Sequence, residues 1–488
     1  MTQTLLVIDA GTTSTRAMLF GVDGTRRGCA HRQVTQYFPA PGLVEHDARE
    51  LWSHTLACVR EMVGKAGGYA RVAGIGIANQ RETIVFWDRR SGEPLAPAIV
   101  WQDRRTAVVC EALKQSGHEA DLQSKTGLLL DPYFSASKIA WALEHWPQLR
   151  AAGDGLAMGT VDSYLVFRLT GGMHLTDATN ASRTALMSIS TGQWDDELCE
   201  LFVVPRKLLP EIVDSAGQFG STQSALFGGP IQICGIAGDQ QAAAIGQACV
   251  EAGQTKATFG TGAFVLTHTG VHRPRSKHRL LTTVAYQLGG TRSYALEGSV
   301  FSAGSLVQWL RDGLGLIQNS SETEMLARSV SDNGGVYLVP ALSGLGAPHW
   351  RPTARGTIYG LSYAAKKAHI VRAALEAVAY QIYDLKLAFA GDGAIWAGLR
   401  IDGGLAANDW VTQDLADILD INVERPRFIE TTALGAAMLA GVGAGLYRFL
   451  ADALVMRGEV QRFSPQLTTP TRQQRLSGWS DALARVLL

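Results

Sequence analysis

Twice along its 488 residues the chain runs a β-rich segment into a small polar bend and straight back out as a second β-rich segment. TLLVIDAGTTSTRAMLFGVDG, residues 4–24, is the first, and TKATFGTGAFVLTHTG, residues 255–270, is the second. Apolar and β-branched runs on either side of a glycine bend predict antiparallel hairpins. Two of the same form, far apart in the chain, point to a duplicated architecture. The length suits two or three domains.

The rest of the pattern alternates strand and helix. ARELWSHTLACVREMV (48–63) carries Leu51, Leu56, Val59 and Val63 at helical spacing. VAGIGIANQ (72–80) is strand-like, and GGPIQICGIAGDQQAAAIGQA (228–248) reads strand, glycine turn, helix. A long helix is expected from Lys366 to Phe389, then a strand LRIDGG and an amphipathic segment DWVTQDLADILD. Thr431 to Tyr447, TTALGAAMLAGVGAGLY, is apolar and uncharged. It falls short of the ~20 residues that span a bilayer, so it predicts a buried helix packed closely through Gly and Ala. Counting strand–helix units puts the division between two domains at 1–247 and 248–488.

Composition narrows the function. Lys+Arg and Asp+Glu both number 44, so the neutral chain has no general field for nucleic acid or an anionic membrane. Six dispersed cysteines without a CxxC pair predict buried reduced thiols. MTQTLLVIDAGTT lacks the basic and long apolar parts of a secretory signal. A cytoplasmic enzyme fits these features. His268 and His272 are four apart, but in a strand and glycine turn with no third ligand nearby, so no metal site is expected there.

Glycine makes up 53 residues, many clustered beside apolar runs, which suggests close backbone approach to a ligand. GxxxxGK[ST], GxGxxG and HExxH are all absent. A phosphate ligand therefore needs another cradle, and Asp9-Ala10-Gly11-Thr12-Thr13-Ser14-Thr15-Arg16 offers one. Its hydroxyls and amides can donate to phosphate oxygens. Asp9 suits Mg²⁺, and Arg16 adds positive charge where it builds up during transfer. A plain solvent-facing hairpin bend would use the same residues, and the sequence of this segment alone leaves both readings open. The second bend, Gly260-Thr261-Gly262, tilts the balance toward two hairpins gripping phosphates across a cleft.

DAGTTSTR, NQRET, DPYFSASK, GIAGDQQAA, FGTGAF, LEGSVFSAG and DGGLAAN follow one another across nearly the whole chain. In this order and spacing the chain resembles the FGGY carbohydrate kinases. The resemblance implies an α/β fold of two actin-like, ribonuclease H-like domains with the active site in the cleft between them. It implies transfer of the terminal phosphate of ATP, with Mg²⁺, to a small polyol, glycerol foremost, giving sn-glycerol 3-phosphate. A homo-oligomer, dimer or tetramer, is expected, with neither nucleic acid nor membrane insertion. Relatives acting on erythritol, threitol or a pentulose share the nucleotide motifs, and an actin-like ATPase without a small acceptor shares the fold.

The same resemblance carries Arg81, Glu82, Tyr133, Asp239 and Gln240 over as hydrogen-bonding polyol contacts and Trp101 and Phe264 as apolar walls. Adjacent strand residues point to opposite faces, so a bend must bring Arg81 and Glu82 into one site, where Arg81 could donate to two oxygens. Thr12, Thr13, Ser14, Arg16, Thr261, Gly304, Gln308, Gly404 and Asn408 are implied nucleotide contacts, and Asp9 and Asp239 implied metal ligands. Asp239, at the start of a helix, is the expected base, although an N-cap alone would also explain an aspartate there. Ala10 and Ala263 stand where typical relatives have glutamine and cysteine. SALFGGPIQI lacks the arginine with which bacterial relatives bind fructose 1,6-bisphosphate, so no inhibition by that anion is expected.

Overall fold

The structure, a computed structural model, describes residues 3–351 and 353–488. The first hairpin is β1 (Thr4–Ala10) and β2 (Ser14–Gly21), extended by β3 (Arg26–Gln33). β4 (Val72–Asn79) and β5 (Ile233–Gly238) complete a sheet of order β5-β4-β1-β2-β3. The second hairpin, β6 (Gln254–Phe259) and β7 (Ala263–Gly270), lies in a seven-stranded sheet. Its other strands are β8 (Leu281–Leu288), β9 (Thr291–Val300), β10 (Gly398–Asp402), β11 (Val423–Pro426) and β12 (Val460–Phe463), in the order β8-β9-β7-β6-β10-β11-β12. Within it, β9-β7-β6-β10-β11 repeats the first sheet strand for strand. In each, a three-stranded antiparallel meander is followed by two parallel strands. The duplication that the two bends foreshadow is therefore one of whole sheets.

Residues 48–66 form α1 (Ala48–Ala66). Asp47 caps it by accepting from the Arg49 amide, and Gly67, at φ 89°, ends it. Its buried stripe runs through Leu51, Trp52, Thr55, Cys58, Val59, Met62 and Val63, whereas Leu56 is half-buried. Thr55 occupies the stripe because its hydroxyl meets that of Thr15 at 3.0 Å on the sheet. α2 (Asp239–Gly246) leaves β5 without a connecting loop. α3 (Gly304–Gln308) follows β9, and α4 (Lys367–Gly391) and α5 (Asp409–Leu419) flank the second sheet.

The small-residue segment is α6 (Thr431–Gly443), and it packs on the first sheet and on α2 although it comes late in the chain. Leu5, Val7, Phe20, Cys234 and Ile245 share one apolar cluster with Leu434, Met438 and Leu439. The backbones touch here. A Cβ on Gly435 would lie 1.8 Å from the Ala242 carbonyl oxygen, and one on Gly246 would lie 2.0 Å from that of Thr431. A Cβ on Gly76 would lie 2.2 Å from the Ala436 carbonyl oxygen. All six cysteines are free, and only Cys29 is exposed.

Candidate active site

The first bend closes through the Gly11 amide donating to the Ser14 carbonyl at 3.0 Å. β1 and β2 set Asp9 directly opposite Arg16. Arg16 gives Asp9 Oδ2 both Nη2 at 2.6 Å and Nε at 3.1 Å, and it gives Glu430 its Nη1 at 2.5 Å. The guanidinium expected to face a transferring phosphoryl is thus shared between two carboxylates. Burial pushes the Asp9 carboxyl above its ordinary range, and the Arg16 charge only partly offsets it. Thr12 and Ser14 are half-buried and Thr13 is exposed.

Arg81 and Glu82, the expected polyol contacts, sit where β4 ends. Glu82 takes φ 62°, a conformation disfavoured for a residue with a side chain. This is the bend the Arg81–Glu82 pair requires, and both side chains are buried. The fork of Arg81 does not face an open pocket, however. Nη1 and Nη2 donate to the two oxygens of Glu297 at 2.7 and 2.9 Å. What remains is Nε, 3.3 Å from Asp239 Oδ1. Glu82 Oε1 accepts from Arg183 Nε at 2.6 Å. Burial raises the Glu82 carboxyl, opposed by Arg183 and Arg81. Burial also pushes up Glu297, but Arg183 and Arg81 outweigh it and hold that group at about 2.

Asp239 is the first residue of α2, and Gly238 holds the cap position. The aspartate is therefore not an N-cap; its Oδ1 accepts from the neighbouring Gln240 amide at 2.7 Å and pairs with Arg81 Nε. About a third of its side chain is exposed, leaving Oδ2 available to a ligand. Gly238 must be small, because a Cβ there would lie 2.7 Å from the Arg81 stem. Gln240 is held by Nζ of Lys256 on β6.

Three aromatic rings wall the same space. Trp101 lies 5.6 Å from Tyr133 and 6.4 Å from Phe264, both edge-on. The Trp101 indole N–H donates to Thr12 Oγ1 at 2.9 Å, so the apolar wall and the first bend are one unit. Phe264, just past the second bend, comes from the other sheet. Lys138 fixes Tyr133 by donating to its carbonyl at 2.6 Å.

The second bend carries an exposed Thr261. The amides of Ala303 and Ser305 donate to the Thr261 carbonyl, and Gly304 donates to that of Gly260. Gly304 is required for this contact, since a Cβ would lie 2.5 Å from the Gly260 oxygen. Gln308, one turn along α3, is exposed. Gly403 (φ 88°) packs on Phe259, with a Cβ position only 2.3 Å from its carbonyl oxygen, whereas nothing lies within 4 Å of a Cβ on Gly404. Gly404 thus presents bare backbone beside the second bend. Asn408 caps α5 through the Val411 amide and donates to Thr323, so its side chain is committed within its own lobe.

Glu297, Arg183, Lys256 and Glu430 escape the sequence reading. Lys256 and Glu297 are lone charges inside β-rich segments, and that interruption was the signal available. Among the described residues no group of three or more potential metal ligands occurs; the Asp239 charge lies close enough to Asp9 to add to the upward push on the Asp9 carboxyl.

Models of the N-terminal and C-terminal domains of the FGGY family of carbohydrate kinases match residues 4–246 and 255–444. A glycerol kinase of Rhodospirillum centenum is 54% identical over 99% of this chain and 97% of the relative. One from Gluconobacter oxydans is 52% identical over 99% and 95%. The crystal structure of Plasmodium falciparum glycerol kinase with ADP superposes with a TM-score of 0.94 at 35% identity, covering 100% of this chain and 99% of that one. A gluconate kinase of Lactobacillus acidophilus, at 21% identity and a TM-score of 0.88, shares the fold. Two sheets of one topology, their bends facing a common cleft, and these matches agree: the chain belongs to the FGGY family of carbohydrate kinases.

Proposed function

We propose that this protein transfers the terminal phosphoryl group of ATP to a primary hydroxyl of glycerol, giving sn-glycerol 3-phosphate, in the cleft between lobes 1–247 and 248–488. The observation that carries this reading is the convergence of Asp239, the Arg81–Glu82 pair and the Trp101–Tyr133–Phe264 wall beside the first bend. A filament-forming or chaperone-like ATPase has no use for such a pocket.

Asp239 acts as the base. It starts α2 with Arg81 Nε 3.3 Å from its Oδ1, and exposure leaves it open to the hydroxyl proton. Glu82 and Tyr133 orient the polyol while the aromatic rings cover its carbon chain. Thr12, Thr13 and Ser14 on one bend and Thr261 on the other donate to the phosphates, with Gly404 leaving room for the nucleoside and Gln308 and Asn408 at its rim. Charge stabilisation and alignment dominate in phosphoryl transfer, and closing the lobes excludes water that would compete as acceptor.

Mg²⁺ fits Asp9 and Asp239 as a pair of hard carboxylate donors, with Arg16 holding Oδ2 of Asp9. When bound it would neutralise charge on the phosphate oxygens. Among the described residues no helix is long and apolar enough to cross a membrane; a cytoplasmic location remains part of the proposal. So does a homo-oligomer, supported by exposed Leu361 and Tyr363. A polyol panel with ADP release as readout is expected to rank glycerol above erythritol, threitol and pentuloses. ATP turnover at the same rate without polyol would reverse the conclusion.

A further inference from the structure

Glu297 is a buried charge of the cleft, and it reaches across from the second sheet to residues of the first lobe. Its oxygens take both terminal nitrogens of Arg81, and Oε1 also lies 3.3 Å from Nη2 of Arg183. Side-chain exposure is 2% or less for all three residues. Arg183 in turn grips Glu82, so the charges alternate: Glu82, Arg183, Glu297, Arg81, Asp239.

Such a chain is a poor stabiliser. Desolvation offsets most of the Coulombic gain of buried ion pairs. Nη1 and Nη2 of Arg183 also lack a well-aligned hydrogen-bond acceptor among the described residues, a further cost. What the chain supplies is direction. With its fork on Glu297, Arg81 presents only Nε to Asp239. With Oε1 on Arg183, Glu82 keeps Oε2 clear of hydrogen bonds among the described residues and open to a single hydroxyl.

We infer that Glu297 is a positioning residue that sets how strictly the site reads the hydroxyls of its polyol. The inference deepens the proposed polyol kinase reading and rests on it. Removing the negative charge frees the Arg81 fork to turn toward Asp239 and the substrate, and lets Arg183 and Glu82 shift together. Hydroxyl recognition then loosens while the nucleotide side, which Glu297 does not touch, stays as it was.

The test compares wild type with Glu297→Gln and Glu297→Asp on glycerol, 1,2-propanediol and 1,3-propanediol. For Glu297→Gln, KM for glycerol is expected to rise at least tenfold. The preference in kcat/KM for glycerol over either diol is expected to shrink at least tenfold, with KM for ATP within twofold. Glu297→Asp, which keeps the charge but shortens its reach, is expected to recover part of that preference. A purely structural role would lower Tm or the active fraction and scale kcat for all three substrates alike. An unchanged preference ratio therefore overturns the inference, and Glu297→Asp alone gives that ratio if Glu297→Gln does not fold. Wild type that ignores glycerol defeats the proposed function instead, and the ratio is then taken on the polyol that wild type does accept.

Discussion

The floor of the cleft and its proposed nucleotide rim are built by opposite means. At the floor, Arg81, Glu82, Arg183 and Glu297 are buried and locked by charge-assisted bonds of 2.6–2.9 Å. At the rim, Thr13, Thr261, Gln308 and Gly404 are exposed and present hydroxyls, an amide and bare backbone. The floor is organised before any ligand arrives, as selection among small polyols demands, because one misplaced hydroxyl then leaves a buried group unpaired. The rim offers donors to a ligand that brings its own charge and is shared by many kinases.

If that contrast is right, substitutions should sort by side. The largest effect is expected at the junction: Asp239→Asn should cut kcat by about a hundredfold to ten-thousandfold, the range for a lost general base. Calorimetry should still show ATP and glycerol binding, and near-normal turnover would remove Asp239 from the chemistry. On the floor, Glu82→Gln should raise KM for glycerol by about tenfold to a hundredfold, the worth of a charged hydrogen bond, with KM for ATP steady. A parallel rise in both constants would erase the distinction between floor and rim.

At the rim, Gly404→Val should do the reverse, raising KM for ATP about tenfold, or ~1.4 kcal/mol, at unchanged Tm because its Cβ meets open space. Gly403→Ala is the control. With φ 88° and the Phe259 oxygen 2.3 Å from the new Cβ, it should lower Tm itself. The smallest effect is expected at the bridge between the two regions. Thr12→Val removes the acceptor of the Trp101 indole, about 1 kcal/mol, and should weaken both substrates several-fold. An effect confined to one of them would show that the wall and the bend act separately.

Much of this was legible because it is local. The two hairpins announce themselves within 21 and 16 residues, and the unusual backbone at Glu82 follows from needing two neighbours on one face. Asp239 is marked by its strand-to-helix junction, even though the cap itself proves to be Gly238. The locks on these groups were not legible, since Glu297 lies 216 residues from Arg81 and Glu430 lies 414 from Arg16. A lone carboxylate in a strand says that a partner exists, not which one. The same distance explains the Arg81 fork: its chemistry fits a substrate oxygen pair, and only the fold reveals that a protein carboxylate already holds it.

The small-residue seam has a consequence for biosynthesis. The groove formed by Leu5, Val7, Phe20 and Cys234 is filled by a helix that begins at Thr431, so the first sheet emerges from the ribosome long before its cover. Until then an apolar face stays bare, and the earliest-made lobe is the last to be finished. A fragment ending at residue 247 is accordingly expected to bind a hydrophobic dye and to lose that binding when the remaining polypeptide is supplied in trans.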